Sequence, residues 1–581
     1  MQTSSNPSAF QKKATLLAIA ALTLCGYTQA APAPTGTWDA GGSANRSINF
    51  ASNWAGDVTP NLTAGNTTLT FGSAGTRASL NIPINVAGIV INRPADFFFI
   101  SGTGEQATVG SGGILASPSS NDTVTYAFDD PVILSAHQTW TVQNAGAFTT
   151  TLEVLGLEGN FNLTKNGTGV LAILENGTRS SSTLTTTVNQ GILELRGATA
   201  LNTDANAPVN LNGGQLRLAN DQNTTFTGTN ITVSTNSSIS TTRILQSPEG
   251  EVPIHTIGNI SIGARTLTMS EGGILANTGL GIIQTGAVNL TGNAVFNVVN
   301  NSNANALLKL GAVGQNGTRT LTKTGNGTLE FTATNSFTGN TTVAAGTLLA
   351  NSNSTSSAVN VQSSATIGGN GTVGTLNLAN GATLSPGNSP GTLTVAGNAT
   401  WNGGSNYNWQ VASLNEDATN QVSKGINWDF FSVNGTLNLA NLNTTPLNFN
   451  LWSLSSLSPE TNGIVPGWAT ATGNSTWAIA EATGGIRLNG TPLLANTNYT
   501  SLFNINTAPT NGTGGWFGSI PGGTGFQIVT LADVNTLYLF APTPVPEPGQ
   551  IAASILLLGG IAGYLILKRR RAQKPAPASE V

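Results

Sequence analysis

Acidic residues and histidines are the side chains that could carry out catalysis in this chain, and both are rare. The 581 residues include 25 aspartates and glutamates and two histidines. Cleavage of a glycosidic bond needs two carboxyl groups that face each other across that bond. The candidates for such a pair are Asp129, Asp130, Glu416, Asp417, Asp429 and Glu481. They form no cluster in the sequence, and we assign no catalytic residue.

Three of these acids have a structural interpretation. Asp129 and Asp130 directly precede Pro131, a combination that is typical of a turn. Asp429 follows Trp428 and stands immediately before an apolar segment. Asp429 resembles an aspartate that recurs just before a strand in proteins with the β-strand repeat named below, and this resemblance implies a structural residue rather than a general acid or base.

The two histidines are isolated in the sequence. A metal site or a serine–histidine–aspartate triad built on His137 or His255 would need partners from distant parts of the chain. The sequence contains no calcium-binding repeat of the Gly-Gly-x-Gly-x-Asp type and no phosphate-binding loop. We therefore expect a protein that is not an enzyme and that uses no metal and no cofactor.

The composition is that of a nearly neutral, glycine-rich β protein. Charged residues make up 8% of the chain, against about 25% in typical soluble domains. The 70 glycines and the apolar fraction of 39% suit strands joined by turns with positive φ. A net charge of −4 gives no electrostatic basis for binding nucleic acid. The single cysteine, Cys25, lies in a predicted signal peptide, so the mature chain would have no disulfide.

The elements that would position any site are short strands in a repeated unit. Residues 321–350 alternate β-branched and apolar runs with glycine-containing turns, a pattern that indicates strands. The segment LTKTGNGTL at 321–329 has a partial copy, LTKNGTGVL, at 163–171. Each copy is followed by a similar segment, TVAAGTLLA at 342–350 or TVNQGILEL at 187–195. Repetition of one unit predicts stacking, because a single unit cannot bury its own apolar face.

A shorter period follows the second copy. Val343, Val361, Leu378 and Val395 are 18, 17 and 17 residues apart. Each has an apolar residue six positions later: Leu349, Ile367, Leu384 and Trp401. The spacing predicts a parallel β-solenoid in which the first four residues point inward in one column, with a rise of about 4.8 Å per rung. A chance pattern in an antiparallel sandwich is the alternative.

Residues 321–350 resemble the autotransporter-associated β-strand repeat of bacterial secreted proteins. The Leu-Thr-Lys-x-Gly-x-Gly-Thr-Leu start, the Phe-Thr-Gly middle and the Val-x-x-Gly-Thr-Leu end of that repeat are all present. The copy at 163–195 keeps the start and the end, and LSPGNSPGTLTVAG at 384–397 resembles a segment that often follows such repeats. The resemblance implies an all-β, right-handed parallel β-helix.

The segment 37–72 resembles the opening of many proteins that carry this repeat. It contains Trp38 and Trp54, which we expect to cap the first rung. A solenoid needs such a cap because its end rung exposes unpaired backbone groups. A carbohydrate-stacking role for the two tryptophans is the alternative.

The N-terminal 30 residues have the features of a secretory signal peptide. Lys12 and Lys13 supply the positive region, and residues 14–24 form the apolar stretch. Thr28-Gln29-Ala30 has the small residues of a cleavage motif, so Ala30 marks the predicted cleavage position. The apolar stretch is too short to span a bilayer, which argues against a membrane anchor there.

The C-terminal region combines three features in a fixed order. Val545, Pro546, Glu547 and Pro548 form a motif that precedes an apolar run at 551–567. This run is just long enough for a transmembrane helix. A basic cluster then predicts a cytoplasmic end and consists of Lys568, Arg569, Arg570 and Arg571.

These three features together resemble the PEP-CTERM sorting tail. The resemblance implies recognition by an exosortase-type sorting enzyme, cleavage near the Pro-Glu-Pro motif, and export in a Gram-negative-type bacterium. The protein would sit in the inner membrane through its C-terminal helix before sorting, and then on the cell surface or outside the cell. A plain C-terminal anchor is the alternative.

The predicted organisation has five parts. They are a signal peptide (1–30), a parallel β-helix with strand repeats at 163–195 and 321–350 (31–400), terminal β rungs or a β cap (401–541), a sorting and anchor segment (542–571) and a cytoplasmic tail (572–581). The composition changes near 400, because seven of the ten tryptophans lie beyond that point.

The predicted function is a structural or adhesive role in the cell envelope, with extracellular polysaccharide as a partner and no nucleic acid. One alternative is a carbohydrate-active β-helix enzyme, a polysaccharide lyase or hydrolase, which a groove with facing carboxylates would favour. Another is a protein that binds ice or a crystalline polysaccharide. Regular Thr-x-Thr rows on consecutive rungs, which would favour this last function, are not visible in the sequence.

Overall fold

The structure is a computed structural model that describes residues 35–542 except 41–45, 73–74, 102–103, 245–252, 272–278, 302–303, 416, 472, 509–514 and 519–524. Regular structure there is β-strand, apart from short 3-10 turns at Ala51–Asn53, Trp468–Thr470 and Thr500–Leu502. Across the same residues, no helix has the length and apolar character needed to cross a membrane. The predicted signal peptide and the predicted membrane segment at 551–567 lie outside the described residues.

The strands form three long sheets, which we call the first, second and third face. The first face contains Thr35–Trp38, Thr68–Phe71, Ile84–Ile91, Ala107–Ala116, Val132–Leu134, Gln138–Val142, Leu157–Glu158, Leu163–Asn166, Thr186–Val188, Pro208–Leu211, Asn230–Val233, Ile260–Ile262, Val288–Leu290 and Val313–Gln315. The third face contains Thr224–Thr225, Ile254–Thr256, Gly279–Gln284, Ala304–Leu310, Thr328–Phe331, Gly346–Ala350, Ala365–Gly369, Thr383–Pro386, Asn406–Val411, Leu447–Leu457, Glu460–Asn462 and Phe503–Asn506.

The second face is the longest. It contains Arg77–Leu80, Phe97–Ser101, Val124–Phe128, Thr150–Val154, Val170–Ile173, Ile192–Leu195, Gln215–Ala219, Ser237–Thr242, Thr266–Glu271, Ala294–Val299, Leu321–Thr324, Thr341–Val343, Asn353–Val361, Thr372–Leu378, Thr392–Val395, Ala399–Asn402, Phe430–Val433, Leu437–Ala440, Ser475–Ala482, Ile486–Leu488, Thr491–Pro492, Gln527–Val529 and Thr536–Ala541.

The chain visits the faces in turn between residues 208 and 315. Pro208–Leu211 lies on the first face, Gln215–Ala219 on the second and Thr224–Thr225 on the third. The next strand, Asn230–Val233, returns to the first face and pairs in parallel with Pro208–Leu211. Each circuit therefore adds one parallel strand to each face, which is the geometry of a β-solenoid. The predicted solenoid is confirmed.

Residues 321–401 test the predicted register. The pairs Val343–Val361 and Val361–Leu378 are aligned on neighbouring parallel strands, and all three side chains are buried. These parallel pairings exclude the antiparallel sandwich for this segment. The solenoid and the first three positions of the column are confirmed.

The fourth position of the column was predicted wrongly. Val395 is buried, but it aligns with Val373 and Val433, whereas Leu378 aligns with Trp401. The strand Thr372–Leu378 pairs with two separate strands, Thr392–Val395 and Ala399–Asn402, so this rung is longer than the constant period assumes.

The apolar residues six positions after this column do not form a column of their own. Leu348 rather than Leu349 aligns with Ile367 and is buried. Since successive side chains of a strand point to opposite faces, Leu349 points to the outer side. At the other end, Leu384 aligns with Tyr407 rather than with Trp401.

The two copies of the repeat occupy different corners of the solenoid. Leu163–Asn166 and Val170–Ile173 lie on the first and second faces, whereas Leu321–Thr324 and Thr328–Phe331 lie on the second and third. The repeat therefore encodes a corner and its two adjoining strands rather than a particular face.

A buried lysine, which we call the corner lysine, holds each copy together. In the second copy, Lys323 Nζ donates to the carbonyl oxygens of Thr324 (2.8 Å), Gly325 (2.8 Å) and Ala345 (3.0 Å). Ala345 belongs to the next rung, so the ammonium joins two successive turns of the solenoid. Burial lowers the pKa of Lys323 to about 8. The three carbonyl acceptors match the three N–H donors of the ammonium group.

The first copy repeats this arrangement. Lys165 Nζ donates to the carbonyl oxygens of Asn166 (2.9 Å), Gly167 (2.7 Å) and Gln190 (3.1 Å). Burial lowers the pKa of Lys165 to about 7. The Lys-x-Gly part of the motif thus has a physical explanation, since a long cationic side chain can satisfy the turn carbonyls of two rungs.

The glycine in the second half of the motif is explained by close packing at the same corner. Gly346 has a φ of +66°, and a Cβ atom there would collide with the carbonyl oxygens of Gly325 and Gly327. Gly191 of the first copy has a φ of +63° and faces the equivalent carbonyls of Gly167 and Gly169. Only glycine combines this backbone conformation with so close an approach.

The N-terminal end is covered by the two predicted cap tryptophans. Trp38 and Trp54 are buried, with their rings edge to face and the ring centroids 5.2 Å apart. Trp54 Nε1 donates to the Ile48 carbonyl at 2.8 Å, and the Ala55 amide donates to the Thr37 carbonyl at the open edge of the first strand. The predicted cap is confirmed, and buried rings are not available for stacking on a sugar.

The strand pairing changes from parallel to antiparallel near the C-terminal end of the solenoid. Parallel pairing continues from Ala399–Asn402 through Leu437–Ala440 to Ile486–Leu488. Ser475–Ala482 then pairs with Thr536–Ala541 in antiparallel fashion. The tryptophans of this region pack together, with the ring of Trp468 4.7 Å from that of Trp516. Antiparallel strands and aromatic rings therefore cover the last parallel edge.

Replacing Val361 with aspartate tests the register. The substitution places an unpaired charge in the core, and we expect a cost on the order of 3–5 kcal/mol with local opening of the solenoid. Limited proteolysis should reveal new cleavage near residue 361. Asn360→Asp is the matched control, because Asn360 lies on the outer side of the same strand, aligned with Thr342 and Asn377. Equal cleavage of the two variants would contradict the inward orientation of Val361.

Replacing Lys323 with methionine tests the corner lysine. The change leaves three carbonyl oxygens without their donor, and we expect local opening to become easier by about 2–4 kcal/mol. Hydrogen exchange of the amides at 324–327 and 345–347 measures this effect. Lys309→Met is the control, because Lys309 lies one rung away in a partly exposed ion pair with Glu330 at 3.4 Å, for which about 1 kcal/mol or less is expected. Equal protection in both variants would show that the corner lysine has no special role.

Candidate functional site

The acids considered from the sequence are held by separate local contacts. Asp417 accepts from the amide and hydroxyl of Thr419 on the surface, and Glu481 forms an ion pair with Lys424 Nζ at 2.6 Å. Asp129 accepts from the Ser101 amide at 2.9 Å. Glu416 lies outside the described residues. Within the part of the chain that the structure describes, no group of three histidine, cysteine, aspartate or glutamate side chains could hold a metal ion.

Asp429 connects three backbone segments. Its carboxylate accepts from the amides of Gly391 and Gln410, each at 2.9 Å, and its own carbonyl accepts from Trp409 Nε1 at 2.6 Å. Burial raises the pKa of Asp429 well above its usual value. These contacts match the structural role predicted at the start of Phe430–Val433.

Each of the two histidines contacts neighbouring parts of the solenoid through its ring nitrogens. His137 Nδ1 accepts from the Asn162 amide at 2.9 Å. The buried His255 ring lies with Nδ1 2.6 Å from Thr241 Oγ1. Burial lowers the pKa of His255 to about 4, so this ring is neutral at pH 7.

A cavity of about 380 Å³ on the outer side of the second face brings together charged residues that sequence reasoning missed. We call it the arginine groove. It is lined by Asn144, Thr149, Thr151, Glu153, Thr168, Val170, Ile192, Glu194, Arg196, Arg217, Ala219, Thr242, Arg243 and Ile244. In a chain with 8% charged residues, five charged side chains in one groove are a strong local concentration.

Four successive strands position the centre of the groove. Glu153, Ala172, Glu194 and Arg217 occupy aligned positions, one on each strand. Neighbouring strands are about 4.8 Å apart, so the two carboxylates stand two strand spacings from each other. The small side chain of Ala172 between them leaves room for a larger group above it.

The guanidinium of Arg196 bridges the two carboxylates. Arg196 Nε lies 2.8 Å from Glu194 Oε1, and Arg196 Nη2 lies 3.3 Å from Glu153 Oε1. Arg217 Nη1 contacts the other oxygen of Glu194 at 2.9 Å. A glycosidase keeps the space between its two carboxyl groups open for the substrate, whereas here an arginine fills it. This arrangement can recognise charged or polar groups but is poorly arranged for acid–base chemistry.

The third face carries a different feature, a row of polar side chains that we call the polar column. It runs over seven consecutive strands as Thr328, Thr347, Thr366, Thr383, Asn406, Asn448 and Asn504. The asparagine amides bond to one another: Asn448 Nδ2 donates to Asn406 Oδ1 at 3.1 Å, and Asn504 Nδ2 donates to Asn448 Oδ1 at 3.2 Å. Hydroxyls and amides therefore repeat at about one strand spacing.

A second row accompanies the asparagine end of the polar column. Asn450 Nδ2 donates to Asn408 Oδ1 at 2.8 Å, and Asn506 Nδ2 donates to Asn450 Oδ1 at 3.3 Å. Recurrence of Asn-x-Asn at 406–408, 448–450 and 504–506 was the sequence signal for this surface. It was missed because long insertions make its spacing irregular.

The residues assigned to export and sorting stay predictions. The signal cleavage position, Ala30, and the motif Val545, Pro546, Glu547 and Pro548 lie outside the described residues. The basic cluster Lys568, Arg569, Arg570 and Arg571 lies outside them as well.

Comparison with known proteins identifies one part of the chain. Residues 321–350 match the passenger-associated-transport-repeat family. No curated protein matches the chain. The match coincides with the strands, the corner lysine and the close-packed glycine of the second copy. The chain therefore carries an autotransporter-associated repeat, which indicates an autotransporter-type passenger exported to the cell surface.

Proposed function

We propose that this chain is an exported, non-enzymatic β-helix protein that is sorted to the cell surface and contacts extracellular polysaccharide through its outer faces. The polar column is the observation that carries the proposal. A flat row of hydroxyls and amides, repeated at about 4.8 Å, offers donors and acceptors in register to an extended polymer of sugar units. The passenger-type repeat at 321–350 supports export.

The competing functions receive less support from these surfaces. Binding of ice would be favoured by a second threonine row beside the first, but the positions two residues along hold Glu330, Leu349, Gly368 and Ser385. Cleavage of polysaccharide receives less support because Arg196 bridges Glu153 and Glu194, the two carboxylates among the described residues that line the arginine groove.

Substitution in the asparagine rows tests the proposed contact surface. We expect Asn448→Leu combined with Asn450→Leu to weaken binding to extracellular polymer stripped from the host cells by at least about tenfold, because two outward amides are lost. Co-sedimentation with the polymer measures the affinity. The matched control replaces Asn360 and Asn377 with leucine, since they form an outward-facing aligned pair on the second face. Unchanged binding of the first variant, or equal loss in the control, would contradict the proposal.

Sorting is the second part of the proposal and depends on the order of features in the tail. A plain anchor needs only the apolar run and the basic cluster, whereas a sorting enzyme also needs an extended, exposed motif outside the bilayer. Prolines on both sides of Glu547 favour such an extended segment. An exosortase-type enzyme is the partner that this motif would engage.

Replacing Pro546, Glu547 and Pro548 with alanine tests sorting. We expect normal insertion without processing, so that full-length protein accumulates in the inner membrane with a C-terminal tag retained. Cell fractionation and mass spectrometry of the C-terminus measure the outcome. The control replaces the nearby Pro542 and Pro544 with alanine, which leaves the motif intact. If the motif variant is trimmed and reaches the surface like wild type, the tail is only an anchor.

A further inference from the structure

A cavity of about 500 Å³ lies on the outer side of the first face, and we call it the first-face groove. It crosses four strands that pair in parallel, from Asn230–Val233 through Ile260–Ile262 and Val288–Leu290 to Val313–Gln315. This volume falls in the usual range for small-molecule sites. The described residues that line the groove are all uncharged, so it offers no partner for an ionic group.

Two asparagines that line this groove are held in the same way on successive rungs. Asn230 Oδ1 accepts from the Asn259 amide at 2.7 Å, and Asn259 Oδ1 accepts from the Ala287 amide at 2.8 Å. Gly258 and Gly286 let these side chains lie against the next rung, because a Cβ atom there would collide with the two oxygens. Each Nδ2 atom is then left as a donor to which no described residue offers an acceptor.

The spacing of the two donors suits a single carbonyl oxygen. Since Asn230 and Asn259 are held alike, their Nδ2 atoms are about one strand spacing apart, roughly 4.8 Å. An oxygen placed between them can accept from both at about 2.9 Å, and the two bonds then arrive near the directions of its two lone pairs. Neither side chain has to be immobilised on binding, which lowers the entropic cost of association.

Two exposed alanines continue the row that the asparagines begin. Ala287 and Ala312 occupy, one and two rungs further along, the position that Asn259 has on its own rung. The row therefore passes from two amide donors to two methyl groups. A ligand that matches it presents a neutral carbonyl oxygen beside a small apolar group, and the acetamido group of an N-acetylated sugar has both.

We propose that the first-face groove binds an N-acetylated sugar unit of a neutral polysaccharide, with the acetamido carbonyl accepting from Asn230 and Asn259 and its methyl group packing on Ala287. This rests on the proposed function, because it names the chemical class of polysaccharide that the exported β-helix contacts. Thr232 and Ser261 also line the groove and supply hydroxyl groups for hydrogen bonds with the sugar hydroxyls.

The test compares two hexasaccharides that have the same linkage between sugars. Chitohexaose carries an acetamido group on each ring, whereas cellohexaose carries a hydroxyl group at that position. Isothermal titration of the purified full-length chain should show at least about tenfold tighter binding of chitohexaose. Equal binding of the two, or tighter binding of cellohexaose, would overturn the proposal without any change to the protein.

Replacing Asn259 with aspartate locates the site. Aspartate keeps an oxygen for the Ala287 amide but loses the free NH₂ group, so we expect affinity for chitohexaose to fall at least about tenfold. Asn236→Asp is the matched control, because Asn236 Oδ1 accepts from the Thr266 amide at 2.9 Å in the same manner but at a corner outside the groove. Unchanged affinity of Asn259→Asp, or an equal loss in the control, would overturn the proposal.

A second variant guards against a loss of folding. Thermal unfolding of Asn259→Asp at the wild-type temperature shows that lost binding has another cause. If this variant unfolds at a lower temperature, Ala287→Leu repeats the test, since it fills the groove at an exposed position and removes no hydrogen-bonding side chain. We expect the same loss of affinity for chitohexaose, and wild-type affinity would overturn the proposal.

The outcome also separates this proposal from the proposed function. If wild type binds polymer stripped from the host cells but shows no preference for chitohexaose over cellohexaose, the assignment of the groove fails and the proposed function stands. If wild type binds neither the polymer nor the hexasaccharides, the proposed function fails as well.

Discussion

Parallel backbone hydrogen bonding between successive rungs is the constraint on which this structure depends. Each circuit of the chain must return to the same register one strand spacing further along, and every side chain then lies on its counterpart from the previous rung. Inside, this places Val343, Val361 and Leu378 in one apolar column. Outside, the same alignment makes rows of hydroxyls and amides. Core and surface are thus two consequences of one repeated pairing.

The corners are where this constraint is hardest to meet, because carbonyl groups converge there without ladder partners. The chain meets it twice in the same way, with Lys165 and Lys323 each donating to three carbonyl oxygens across two rungs. Glycines at 191 and 346 let the neighbouring turn approach closely. Most of the motif that defines the passenger-associated repeat can therefore be understood as corner chemistry, which explains why the copies lie on different faces.

A scaffold stabilised in this way leaves its outer surface free for binding, and that surface carries few charges. In the arginine groove, charged side chains from three rungs meet: Glu153, Glu194, Arg196 and Arg217. Their mutual pairing neutralises both carboxylates and removes the open gap that hydrolysis would need. Recognition of an extended polymer is the function that we propose for such a surface, because the solenoid itself is extended and periodic.

The sequence by itself determined the class of fold, the parallel stacking and the N-terminal tryptophan cap, because these depend on local periodicity and on composition. It also located the repeat at 321–350 that the family match supports. It did not determine where a rung becomes longer, so Val395 was assigned to the wrong column. It also did not reveal the groove or the polar column. Only the tertiary structure decided which residues of different rungs become neighbours, since loops of unequal length change the sequence spacing while the hydrogen-bonded register keeps the spatial spacing constant.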